Sequence, residues 1–97
     1  MIDWRKVTGF QWDAGNARKS VAKHYVTQAE AEQIFFNQPL LVVEDVKHSQ
    51  QESRLHALGR TDDDRRLHVT FTLRESGSLI RVISARDMHR KERAFYG

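Results

Sequence analysis

Residues 67–74, LHVTFTLR, alternate without a break: Leu67, Val69, Phe71 and Leu73 are apolar, and His68, Thr70, Thr72 and Arg74 between them are polar. A period of two marks a strand with one face in a core and the other toward water. The flanking residues supply partners for it. ESGS (75–78) turns the chain back into LIRVIS (79–84), and TDDDRR (61–66) is a polar turn after SRLHALGR (53–60). In that last segment Leu55 and Ala57 alternate with Arg54 and His56, while LLVVED (40–45) is a continuous apolar run.

The N-terminal half changes period. GFQWD (9–13) reads as a short strand ending at a helix N-cap, Asp13. Ala14, Ala17, Val21 and Tyr25 then recur at helical spacing, with Asn16, Lys19 and Lys23 on the other side. Thr27 and Glu30 have the spacing of a capping box, which satisfies two orphan backbone donors reciprocally and opens a second helix. Its apolar face is Ala31, Ile34 and Phe35, and Pro39 stops it. Ser84 and Asp87 repeat the capping-box spacing and predict a helix from SARD to the C-terminus, in which Arg86, Arg90 and Arg93 form one stripe and Asp87 pairs with Lys91. The order β-α-α-β-β-β-β-α predicts an α+β fold, an antiparallel sheet with two N-terminal helices and one C-terminal helix packed on one side. The 97 residues have room for one domain, 1–97, around one modest core.

Composition narrows the function. Without cysteine, disulfides, thiol catalysis and zinc-thiolate sites are excluded, and no histidine spacing resembles a metal cage. No apolar run is long enough for a membrane span and no signal peptide opens the chain, so a cytoplasmic protein without membrane contact is expected. Residues 1–48 balance six Lys/Arg against six Asp/Glu, whereas residues 49–97 carry ten against seven, nine of the ten being Arg. Arginine offers a planar fork matched to phosphate oxygens, which makes nucleic acid the first partner to consider. Arg81 is the most telling of these residues. It sits mid-strand in LIRVIS, on the face opposite Ile80 and Val82, where desolvation penalises a cation unless a carboxylate or phosphate meets it.

FQWD, KHYV (23–26), AEQIFFNQPLLVVED (31–45), KHSQQESR (47–54), ALGR (57–60) and above all IRVISARDMHRKERAFY (80–96) together resemble the BrnT family of bacterial toxins, ribonucleases of toxin–antitoxin pairs with a RelE-like fold. The likeness covers nearly the whole chain from Phe10. The family usually has Gly after the Lys-His pair and often Asn four residues before the His, where this chain has Tyr25 and Ser20.

The resemblance implies RNA cleavage without metal or cofactor, by attack of a ribose 2′-OH on the adjacent phosphate. That reaction needs a proton acceptor, cations on the developing phosphorane charge and an acid for the leaving oxygen. Arg81 and Arg86 are the expected phosphate-binding groups, with Arg54, Lys23 and His24 completing the catalytic set. Arg60, His48, Arg90 and Arg93 are the expected RNA-binding residues. Arg86 could instead pair with a sheet carboxylate such as Glu52, Arg54 or Arg60 with Glu92, and His24 could be structural. Glu92 itself reads as a helix-positioning ion-pair partner. His56 and His68 face the polar side of the sheet with no particular role assigned. The implied partner is a BrnA-like antitoxin, a ribbon-helix-helix protein through which alone DNA would be bound. A non-catalytic RNA-binding module and a co-repressor subunit are the alternatives.

Overall fold

The computed structural model describes residues 2–48 and 53–97. Strands β1 (Gly9–Trp12), β2 (Leu41–Asp45), β3 (Arg54–Arg60), β4 (Arg66–Arg74) and β5 (Leu79–Asp87) form one sheet in the order β1-β5-β4-β3-β2. Helices α1 (Ala14–His24) and α2 (Gln28–Gln33) lie between β1 and β2, and α3 (Arg90–Tyr96) follows β5. The element order and the α+β class are those expected. The sheet is mixed, however, because β1 runs parallel to β5, with Gly9 opposite Leu79 and Trp12 opposite Val82. Tight turns force β3, β4 and β5 to be antiparallel, whereas β1 leaves into two helices and is free of that constraint.

The alternation in residues 67–74 decides where the core sits. Leu67, Val69 and Phe71 are fully buried with Ile80, Val82 and Ala85 of β5, under Val26, Ala31 and Ile34 from the helical layer. Gly59 lets that layer approach β3. A Cβ there would stand 2.8 Å from Ile34 Cβ, closer than side chains tolerate. Trp12 Nε1 donates to Glu32 Oε2 at 2.8 Å, tying β1 to α2.

Two local signals behave as read. Asp13 caps α1 by accepting from the backbone N–H groups of Gly15 and Asn16, and Thr27 and Glu30 form both halves of a capping box on α2. SARD does not open a helix. Residues 84–87 continue β5, where Leu67 pairs with Asp87 and His68 with Arg86, so the β4 ladder satisfies their backbone groups before a cap can. The helix starts later, with His89 as N-cap and the Glu92 carboxylate accepting the His89 N–H. Arg86 therefore leaves the supposed helical stripe. Asp87 pairs with Arg65 and not with Lys91. Nor are all the helices on one side. α3 crosses the polar face, where its Glu92 meets Arg86 and its buried Tyr96 donates a hydroxyl hydrogen bond to the Pro39 carbonyl.

One irregularity sets the chemistry of that face. Thr70 pairs with Ser84 but Phe71 pairs with Val82, which leaves Ile83 as the extra residue of a β-bulge. Beyond it the phase of β5 changes, so Arg81, Ser84 and Arg86 share one face while Val82 and Ala85 share the core. Among the described residues no helix is long and apolar enough to cross a membrane.

Arg65 joins the layers. Its guanidinium donates to Asp87 through Nε and Nη2 (2.7 and 3.0 Å), to Glu30 through Nη1 (3.0 Å), and to the carbonyls of Tyr25 (2.8 Å) and His24 (3.1 Å). These bonds hold Asp87 below the usual carboxylate range. Tyr25 ends α1 in the left-handed region, with φ 55° and a ring 80% exposed. A side chain in that conformation is strained, and this is the position where glycine is expected. Tyr25→Gly should raise stability by about 0.5–1 kcal/mol, read as a higher urea midpoint with unchanged slope, since the Tyr25 carbonyl still serves Arg65.

Candidate functional site

The polar face of the sheet is ordered in rows. One row crosses all five strands as Gln11, Arg81, Thr72, Arg54 and Asp45. The next carries Ser84, Thr70, His56 and Val43, and the one after it Arg86, His68, Leu58 and Leu41. Thr72, 1% exposed, is covered by its longer neighbours and donates its hydroxyl to the Ser53 carbonyl at 2.7 Å. Arg81 and Arg54 flank it from either side. Among the described residues Arg81 makes no hydrogen bond or ion pair, and it is half-buried. A cation so placed is poised for an anion from outside.

Arg86 is held differently. Its Nη1 and Nη2 form a fork on Glu92 (2.8 and 3.0 Å), and Nη1 also donates to the Asp87 carbonyl. The fork, first among several contacts, lowers the Glu92 pKa to about 2. Arg86 is thus paired with Glu92 of α3, whereas Glu52, the sheet carboxylate suggested as its alternative partner, lies outside the described residues. Glu92 in turn approaches His68, whose Nε2 is 3.9 Å away. Burial and the Arg86 charge push the His68 pKa down to about 4, and its Nδ1 is buried without a partner among the described residues.

The His68 ring lies against that of His56, centroids 4.9 Å apart. His56 joins Asp45 through Nε2 and Thr70 through Nδ1, both at 2.9 Å. A carboxylate, an imidazole and a hydroxyl in series have the composition of a nucleophilic triad, but Thr70 is only 7% exposed and cannot reach a substrate. The series instead orients His56 at the centre of the face.

Of the expected site residues, the fold brings Arg81, Arg86 and Arg54 onto one face. Lys23 and His24 stand beside it, at the end of α1, where with Ser84 they line a cleft along the edge of β5. Arg60 donates from Nε to the Gln38 carbonyl at 2.8 Å and lies 3.8 Å from Asp64, with part of its side chain exposed. Arg90 and Arg93 are exposed on α3, and Arg93 lines a separate cleft with Arg65 and Asp87. His48 closes a short 3-10 turn, Val46–His48, after β2. The residues passed over are His56, His68 and Asp45. Pairing β3 with β4 symmetrically about the acidic turn would have set His56 opposite Thr70 and Arg54 opposite Thr72. Among the described residues no three His, Asp or Glu side chains gather as a metal-binding group.

The family model described as "Ribonuclease toxin, BrnT, of type II toxin-antitoxin system" matches residues 12–92. The chain belongs to the BrnT family. Membership makes RNA its substrate class and an antitoxin its partner. The crystal structure of the Brucella abortus ribonuclease toxin BrnT superposes with a TM-score of 0.65 at 22% identity, covering 87% of this chain and 100% of that one. At that identity the likeness speaks for a shared BrnT fold. No curated protein sequence matches.

The depressed His68 pKa has a consequence within this BrnT-family fold. The unfolded chain protonates His68 near 6.5 and the folded chain only near 4, so the unfolded state gains protons first as pH falls. Stability should therefore drop between those values, by about 2 kcal/mol from pH 7 to pH 5. Glu92 and Asp87, with lowered values, weaken the fold only at more acidic pH. Urea midpoints across this range should flatten in His68→Gln; an unchanged slope would mean that His68 is not the titrating group.

Proposed function

We propose that the chain is a metal-independent endoribonuclease that cleaves RNA by attack of a 2′-OH on the neighbouring phosphate. The observation that carries this reading is Arg81, half-buried mid-strand, without a protein partner among the described residues and in register with Arg54 across Thr72. Guanidinium groups on a preformed sheet supply the positive charge that a phosphorane needs, and they require no reorganisation when it forms. Arg81 and Arg54 receive the scissile phosphate. Arg86, oriented by Glu92, presents its remaining N–H groups to the same charge. His24, half-buried at the margin of the face, is assigned the 2′ proton, and Lys23 beside it assists the leaving oxygen. Arg90, Arg93 and Arg60 extend a basic border for RNA, with His48 from the turn after β2.

Growth inhibition through loss of messenger RNA is the consequence assigned to this activity in the cytoplasm. A BrnA-like antitoxin of ribbon-helix-helix type is the proposed cover for the arginine face and the source of DNA affinity, since a face able to bind and cut RNA must be blocked to keep a cell alive.

Cleavage of a defined RNA by the purified protein should persist in EDTA and leave 2′,3′-cyclic or 3′-phosphate ends. Activity abolished by chelator and restored by Mg²⁺ would refute the mechanism. Arg81→Ala should lose ~100-fold or more in cleavage rate while keeping its circular dichroism spectrum. Arg81→Lys should fail to restore activity, because a point charge does not reproduce the fork. An unfolded Arg81→Ala protein would make the residue structural.

A further inference from the structure

Among the described residues no strand lies beside the edge of β5 beyond the bulge, because β1 ends at Trp12, opposite Val82. Helix α1 takes that place. Ser20, 2% exposed, accepts the Ala85 N–H at 3.2 Å and seats the helix on the bulged segment. One turn either side of Ser20, the same helical face presents Asn16 and Lys23, with Lys19 adjacent. These side chains, His24, Ile83 and Ser84 enclose a cleft of about 250 Å³.

The chemistry of the cleft is that of an anion site. Lys19, Lys23, Asn16 and Ser84 bring only donors and cations, or groups able to donate, and no carboxylate lines it. Neither lysine forms an ion pair among the described residues. Both oxygens of Asp87, further along β5, are already held by Arg65. Ser84 belongs to the cleft and to the polar sheet face at once, so the two are continuous. Ser84 pairs with Thr70 and Arg81 with Thr72, a separation of about 7 Å along the strand. One nucleotide of extended single strand spans that distance.

We propose that this cleft is a second phosphate subsite, in which Lys19 with Asn16 holds the phosphate next to the one received at Arg81. The inference rests on RNA as the substrate. It assigns Lys19, which takes no part in the chemistry, the task of fixing the register of the strand across the sheet. RNA then leaves the face over Ser84 and continues along α1.

The test uses 2′-O-methyl oligonucleotides, which bind but cannot be cut. Fluorescence anisotropy would compare a dinucleotide, with one phosphodiester, against trinucleotides extended on the 5′ or the 3′ side. The wild-type chain should bind one of the trinucleotides more tightly than the dinucleotide, with a salt slope steeper by about 0.7. Lys19→Ala should weaken that trinucleotide roughly fivefold, abolish the extra slope and leave the dinucleotide unchanged. Lys6→Ala, an exposed cation on the N-terminal 3-10 turn, is the control for general charge. Equal losses on dinucleotide and trinucleotide, or losses matching those of Lys6→Ala, would overturn the subsite. Failure of the wild-type protein to cut an unmodified trinucleotide that it binds with this Lys19 dependence would defeat the nuclease reading while supporting the subsite. Binding of neither oligonucleotide would overturn both.

Discussion

The bulge at Ile83 is the constraint on which the rest turns. Arg81 and Arg86 are five residues apart, and in an unbroken strand an odd separation puts two side chains on opposite faces. One guanidinium would then point into the apolar core between the sheet and Val26, Ala31 and Ile34. A single extra residue removes the conflict. It keeps Ile80, Val82 and Ala85 in the core and gathers Arg81, Ser84 and Arg86 on the other side. The pairing with β1 ends at Val82, just before the bulge, and α1 with its lysines lies along the edge beyond it.

Arg65 makes that arrangement rigid. All five of its N–H donors are used, on two carboxylates and two helix-terminal carbonyls. Few single side chains could connect the end of α1, the start of α2, the turn before β4 and the end of β5 at once. A lysine there would reach one or two of these acceptors and leave the others unpaired. Because α1 is pinned at its C-terminus by Arg65 and along its length by Ser20, the position of His24 and Lys23 relative to the arginine face is set by the fold.

What could be read from the chain was local. The alternation of residues 67–74, the Asp13 cap and the Thr27–Glu30 box each depend on a few adjacent residues, and each appears as expected. The bulge carries no glycine or proline to announce it, and unbroken alternation in LIRVIS would put Ile83 on the same face as Arg81. The S-x-x-D spacing of residues 84–87 satisfied a helix-start pattern that pairing with β4 overrides. The helix cap in use is a histidine, which no propensity rule favours. Arg81 was legible because a cation inside an apolar strand is expensive wherever it lies. The link from Arg86 through Glu92 to His68 was not, since it depends on α3 folding back over the polar face, a contact made at Tyr96 and Pro39.

The parallel pairing of β1 with β5 also governs the order of assembly. Gly9 meets Leu79 at a sequence separation of 70, while β3, β4 and β5 meet through short turns. Closing so long a loop returns no contact energy until β5 is in place, so the antiparallel strands should form first and β1 should dock last. Because α1 follows β1 directly, the basic helix reaches the arginine face only at that final step. On that order the guanidinium groups of the sheet should be aligned before the lysines and His24 of α1 arrive beside them.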